Sequence, residues 1–200
     1  MSCRDWLDKP VETAQSKVHV SHHLLFIADA DTQPNPKYLL AFDNGLVTAQ
    51  PGIAVVSTGI DSGNVAVTVQ IRNQAAPAPT SAEQEEWEEI VEVTLAAFDA
   101  GEVTVCGLMS DLPDLPELTP GGPGRYRFRI YARGRDTAVD LVATEPVEDY
   151  LIMSWPTQHD DPEIIYRQTD DYGASQRASA QHARATRRWG KPSSPARLPR

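Results

Sequence analysis

Cysteine is scarce, long apolar runs are missing, and the common catalytic signatures are not there. Only Cys3 and Cys106 occur in 200 residues. That excludes a disulfide framework and a CxxC metal site. No stretch approaches the roughly 18 apolar residues of a membrane-spanning helix. The opening Met1 to Asp5 leads into no apolar segment, so a secretory signal is not expected and the reading is cytoplasmic. GxSxG, a Walker loop, HExxH and a GxGxxG between strand and helix are all missing. Gly121-Gly122-Pro123-Gly124 has the glycines of a phosphate cradle but runs into a strand. It lacks the helix N-terminus that makes such loops bind anions.

Acid is abundant, and it is unevenly placed. The formal charge is −10, yet residues 174–200 hold seven bases and no acid. The other 173 residues carry eleven bases against 28 acids, a net −17. An acidic body with a basic tail suits docking on a basic protein. The folded part repels phosphates, so nucleic acid is expected to bind only weakly, through the tail, and less so as salt rises.

Alternation with period two dominates the chain. Strands are expected over Lys17–Ile27, Tyr38–Phe42, Leu46–Ala49, Ile53–Thr58 and the clean alternation Val65–Ile71. Later ones are expected over Trp87–Leu95, Glu102–Met109, 124–135, Leu141–Ala143, Glu148–Trp155 and Glu163–Arg167. Turn formers separate them, as at Asp43-Asn44-Gly45 and Asp61-Ser62-Gly63. Four prolines and three glycines make 110–124 a loop. Ser81 followed by Gln84 marks a short helical turn before the Trp87 strand, and Trp6 suggests a docking contact for the first residues. The expected fold is all-β, an antiparallel two-sheet β-sandwich with short helical turns. Its expected division is a polar segment 1–16, a sandwich domain 17–170 and a disordered basic tail 171–200.

The stretch from Gly124 to Arg135, GRYRFRIYARGR, organises the rest. Tyr126, Phe128, Ile130 and Ala132 share one parity; Arg125, Arg127, Arg129, Tyr131 and Arg133 share the other. One face therefore joins a core and the other carries a ladder of guanidinium groups. The ladder has two readings. Guanidinium forks bind carboxylate or phosphate bidentately, which makes Arg125, Arg127, Arg129, Arg133, Arg135 and the aromatic Trp155 the candidate interaction surface. Alternatively Arg125, Arg127 and Arg129 pair with acids of a neighbouring strand such as Glu88, Glu92 or Glu148. The acidic body favours the second.

Other candidates are thinner. His19, His22 and His23 cannot all face one ion from a single strand, and a zinc site wants three or four convergent ligands. Asp160-Asp161-Glu163 and Asp170-Asp171 lack a calcium-loop pattern. Cys106 and Ser154 have no sequence-adjacent activating partner. No catalytic residue, metal or cofactor is assigned.

Taken together, VxVSHHLLFIAD, WEEIVEVTL, GxYRFRIYARGRD and EDYLIMSWP, spread over about Val18 to Pro156, resemble the competence protein J family. The chain departs from that pattern in its basic tail, its proline-rich insert at 110–124 and an extended 28–45 region. The family's named member is regarded as an inhibitor that binds a DNA-entry nuclease. The resemblance implies a β-rich, non-catalytic protein whose partner is another protein, such as a basic nuclease or toxin. Two other readings compete. One is a small-ligand or carbohydrate-binding β-sandwich using Trp87, Tyr126, Tyr131 and Trp155; the other is a metal-dependent enzyme centred on His22 and His23.

Overall fold

The computed structural model describes residues 10–29, 32, 41–98, 101–108 and 112–189. The expected Trp6 contact, Cys3 and most of the expected strand Tyr38–Phe42 lie outside them. In chain order the elements are β1 (Glu12–Ser21), β2 (Leu24–Asp29), β3 (Val47–Gln50), β4 (Ile53–Ser57), β5 (Ser62–Ile71) and α1 (Ser81–Glu86). There follow β6 (Glu89–Ala97), β7 (Val103–Gly107), β8 (Gly124–Arg133), β9 (Val142–Ala143), β10 (Asp149–Thr157), β11 (Ile164–Gln168) and α2 (Asp171–Trp189).

All eleven strands belong to one sheet. Nine run in the order β11-β6-β8-β10-β5-β1-β2-β4-β3, with β7 beside β2 and β9 beside β5. The sheet curls into a half-barrel instead of splitting into the two layers of the expected sandwich. The curl brings β4 back towards β6, where the Gly52 N–H donates to the Ala96 carbonyl at 2.8 Å. Nor is the sheet wholly antiparallel, because β5 pairs in parallel with both β10 and β9. The chain reaches β10 by way of the antiparallel β6–β8–β10 run, so it needs no helical crossover to lay two strands parallel.

The concave face holds the main core. Val65, Val67, Val69 and Ile71 of β5 meet Tyr126, Phe128 and Ile130 of β8, Val91, Val93 and Leu95 of β6, and Val18 and Val20 of β1. Each of these aliphatic side chains contributes roughly 1.5–3 kcal/mol by burial. A second, smaller core forms on the other face, where Trp87, Ile90, Tyr131, Met153 and Trp155 pack together. Segment 73–87, carrying α1, and β11 cover it; Ala76 and Tyr166 are packed against it. The α1 N-terminus is a capping box formed by Thr80 and Glu83, one residue earlier than the expected Ser81–Gln84 pair.

Two local differences from expectation have clear causes. Lys17–Ile27 is not one strand but a hairpin, closed at the pair Ser21↔Leu24 by His22 and His23 with φ of 56° and 62°. Two consecutive positive φ values are what a two-residue type I′ connection requires. Of the tail expected to be disordered over 171–200, Asp171–Trp189 is helical, and 190–200 lie outside the described residues. Asp170 caps it, its Oδ1 accepting the Gly173 N–H at 2.8 Å. Asp136 accepts the N–H groups of Asp171 and Tyr172 at 2.9 and 2.7 Å. Acid at the first turn and Ala, Gln and Arg beyond it favour helix without any large apolar face.

Candidate interaction surface

The arginine strand is β8, and most of its charge points into the protein. Arg127 and Arg129 are each 2% exposed. They face Thr94 and Glu92 across the β6–β8 register, and both forks converge on Glu92. Arg127 Nε donates to Glu92 Oε1 at 2.7 Å, and Arg129 Nε donates to Oε2 at 2.8 Å. The remaining N–H groups are taken by covering segments. Arg127 donates to the carbonyls of Asp161 and Pro162 at 2.9 and 2.7 Å. Arg129 donates to those of Pro77 and Ala76 at 2.6 and 3.2 Å. The Arg129 guanidinium also lies 5.2 Å from the Trp155 ring centroid and 5.0 Å from that of Tyr166, within reach of both π faces.

Arg135 goes further inside. Its side chain is wholly buried and holds Asp170 through two N–H···O bonds, at 2.7 and 2.9 Å. Its Nη1 donates to the carbonyls of Gly45 and Ser57, and its guanidinium lies 5.3 Å from the Tyr172 ring. Glu89 is buried beside this pair, with Arg177 of α2 at 3.3 Å. Burial, with the charge and hydrogen bond of Asp170 next in weight, raises the Glu89 carboxyl to about 7 against the lowering pull of Arg135 and Arg177. Glu148, also buried, is pushed up by burial although Gly59 N–H, Ile60 N–H and Tyr150 O–H donate to it.

Of the six residues expected to form a surface, Arg127, Arg129, Arg135 and Trp155 are therefore interior. Arg133 is half-exposed between Glu86 and Asp149, at 2.8 and 2.9 Å, over the Trp87 ring. Arg125 is exposed at the start of β8. The cross-strand reading holds for Glu92, whereas Glu88 accepts the Gly134 N–H. Sequence pattern gave no hint that segments 73–87 and 158–168 would roof the ladder, because neither has a strong period.

The exterior offers a different surface. Among the described residues, three non-glycine residues have left-handed backbone: His22, His23 and Asp140. They share one corner. His23 Nε2 lies 3.3 Å from Asp140 Oδ1 and 3.7 Å from Asp61 Oδ1, its Nδ1 is 3.0 Å from the Thr58 carbonyl, and its ring stacks on Tyr172. The Asp61 N–H donates to the Leu141 carbonyl at 2.9 Å, which sets the 138–147 loop against this turn. That loop exposes Leu141 by 59% and Val142 by 72% between the exposed carboxylates of Asp140 and Glu145. Backbone strain held by surrounding contacts concentrates where function sits.

His19 lies apart on β1, paired with Asn64 in register, and no group of three metal-ligating side chains forms among the described residues. Asp160, Asp161 and Glu163 line a cavity of about 260 Å³ between β3 and β6. Glu163 is already bound to the Asn44 amide at 2.5 Å. A second cavity, of about 400 Å³ and apolar, opens on the outer side of β2, β4 and β7. Trp87, Tyr126, Tyr131 and Trp155 line neither, being packed into the two cores.

No protein-family model matches the chain, and no curated protein matches it. Two solved structures are similar to it. One is the crystal structure of ComJ, inhibitor of the DNA degrading activity of NucA, from Bacillus subtilis, at 13% identity and a TM-score of 0.47. The other is crocagin biosynthetic gene J, at 19% identity and 0.44. Each likeness covers 74% of this chain and 98% of the other. No helix among the described residues is long and apolar enough to cross a membrane.

Proposed function

We propose that the chain is a non-enzymatic, acidic β module that binds a basic protein, in the manner of an inhibitor or immunity partner of a nuclease or toxin. One observation carries this reading: an exposed apolar patch lies among exposed carboxylates. Leu141 and Val142 stand in solvent beside Asp61, Asp140 and Glu145, of which Glu145 is paired with Lys17. An apolar centre with an acidic rim matches a cationic patch, and complementary potentials speed encounter and select the partner. The motifs that resemble the competence protein J family favour a nuclease as that partner.

The test mixes the purified chain with each basic protein encoded beside it, any nuclease first, and follows co-elution and, for a nuclease, DNA degradation. Expected are a stoichiometric loss of nuclease activity and a complex that weakens with salt. Leu141→Arg with Val142→Arg should abolish both while the β-sheet spectrum is unchanged. Failure of every basic neighbour to bind at low salt would sink the proposal.

A further inference from the structure

The apolar cavity on the outer side of the half-barrel opens beside a small buried core of Phe26, Phe42, Ile53 and Val55. Phe26 and Ala28 of β2 point away from the main core, opposite Leu25 and Ile27, and pair in register with Cys106 and Thr104 of β7. Ile53 of β4 pairs with Ala28 on the other side. The three strands thus present an apolar floor on the face that an antiparallel sheet usually gives to water. The floor bounds a cavity of about 400 Å³, within the size range of small-ligand sites, which is about 300–1,000 Å³. Leu108 and Leu112 stand exposed at its rim.

The cavity's charged wall has one sign. Asp29 and Glu102 line it, and no lysine, arginine or histidine does so among the described residues. Asp29 is 2% exposed. Its Oδ2 accepts the Phe98 N–H at 2.9 Å, whereas its Oδ1 has no hydrogen-bond partner among the described residues. Buried carboxylate oxygens are nearly always satisfied. An acceptor left unused beside an apolar cavity is a place for a donor that the protein does not itself supply.

We infer that this cavity binds a small primary amine with an aromatic or branched aliphatic body. The body lies on Phe26, Ala28, Ile53 and Cys106, and the ammonium is drawn to the Asp29–Glu102 end, where a modest shift of the wall opens Oδ1 to it. A carboxylate of the same shape meets two like charges and is rejected. The inference is independent of the protein-binding surface, which lies at the His23–Asp140 corner.

Tryptamine and indole-3-propionate share a ring and differ in the sign of the terminal charge, so they serve as the paired probes. In a Cys3→Ser background, alkylation of Cys106 by iodoacetamide is followed by mass spectrometry with each probe present, and affinities are taken by calorimetry. Tryptamine should protect Cys106 and bind at least tenfold more tightly than indole-3-propionate. Asp29→Asn, which keeps an acceptor for the Phe98 N–H, and the surface change Glu102→Gln should each weaken tryptamine about tenfold. If Asp29→Asn does not fold, Glu102→Gln carries the charge test alone. Equal binding of the two probes, binding of neither, or unchanged affinity in the folded variants would overturn the inference.

Discussion

Arg135 and Asp170 hold each other with no exposed side-chain surface on either, and through that pair the loop after β8 grips the N-terminus of α2. A fully buried ion pair adds little net stability when intact, but breaking it leaves an uncompensated charge. Arg135→Met should therefore cost about 3–5 kcal/mol in urea unfolding. Adding Asp170→Leu to it should restore part of that loss. A single variant as stable as the parent would show that the pair is not closed as described.

Glu92 is the hinge of the second buried cluster, since Arg127 and Arg129 both depend on it. Glu92→Gln keeps the shape and removes the one carboxylate shared by two guanidinium groups. Its expected cost is about 3–5 kcal/mol, larger than any exposed ion-pair deletion such as Lys17→Ala, at about 0–1 kcal/mol. Paired denaturation curves decide it.

Stability should fall as pH rises through neutrality. Glu89 has its carboxyl raised to about 7 from 4.5 by burial and by Asp170, so the folded state holds a proton that the unfolded state has released. The native chain binds more protons between those values. Stability from this group is thus full below the unfolded pKa and is lost as pH climbs through the folded one. The loss is on the order of 3 kcal/mol for a shift of this size. Glu148, raised by burial, acts with the same sign. Glu89→Gln should flatten the decline in urea midpoint between about pH 5 and pH 8; an unchanged slope would assign it elsewhere.

Gly59 cannot take a side chain. A Cβ there would overlap the Arg135 carbonyl, which is backbone and cannot swing aside. Gly59→Ala should destabilise by roughly 1–3 kcal/mol through forced repacking. His22, by contrast, is exposed and holds a left-handed φ of 56°, its ring bound among the described residues to the neighbouring Ser21 hydroxyl alone. Glycine adopts that conformation without steric cost, so His22→Gly should gain about 0.5–1 kcal/mol. Thermal melts of the two variants should move in opposite directions.

Most strands could be read from alternation; of the three acids that alternation offers the arginine ladder, Glu88, Glu92 and Glu148, only Glu92 pairs with it. Period two says which residues share a face but not what covers that face. Thus Arg127 and Arg129 were assigned to the correct side of β8, and only the roof contributed by 73–87 and 158–168 makes that side interior. Layer count was illegible for a similar reason. Whether short strands make two sheets or one curled sheet depends on non-local pairing, here the parallel β5–β10 contact, which leaves no local mark. The helix over Asp171–Trp189 was hidden for a different reason. Its residues lack an apolar face, and what organises α2 is a set of caps and ion pairs supplied by Asp136, Glu89 and Asp43 from distant sequence.

The exposed corner was legible only in pieces. His22-His23 drew attention as a metal motif, yet its place is a tight turn whose second ring packs on Tyr172 and faces Asp61 and Asp140. No sequence spacing links those four positions.

Trp155, sealed on the outer side of β10 with the Arg129 guanidinium against its ring, is also a built-in optical reporter. Its indole sits in the layer closed by Tyr166 and segment 73–87, away from the concave core. In a Trp6→Phe, Trp189→Phe background, undocking of that layer should red-shift the emission of Trp155 and of Trp87 beside it before the main sheet loses its circular dichroism. The outer roof and the inner core can thus be timed separately in one unlabelled molecule.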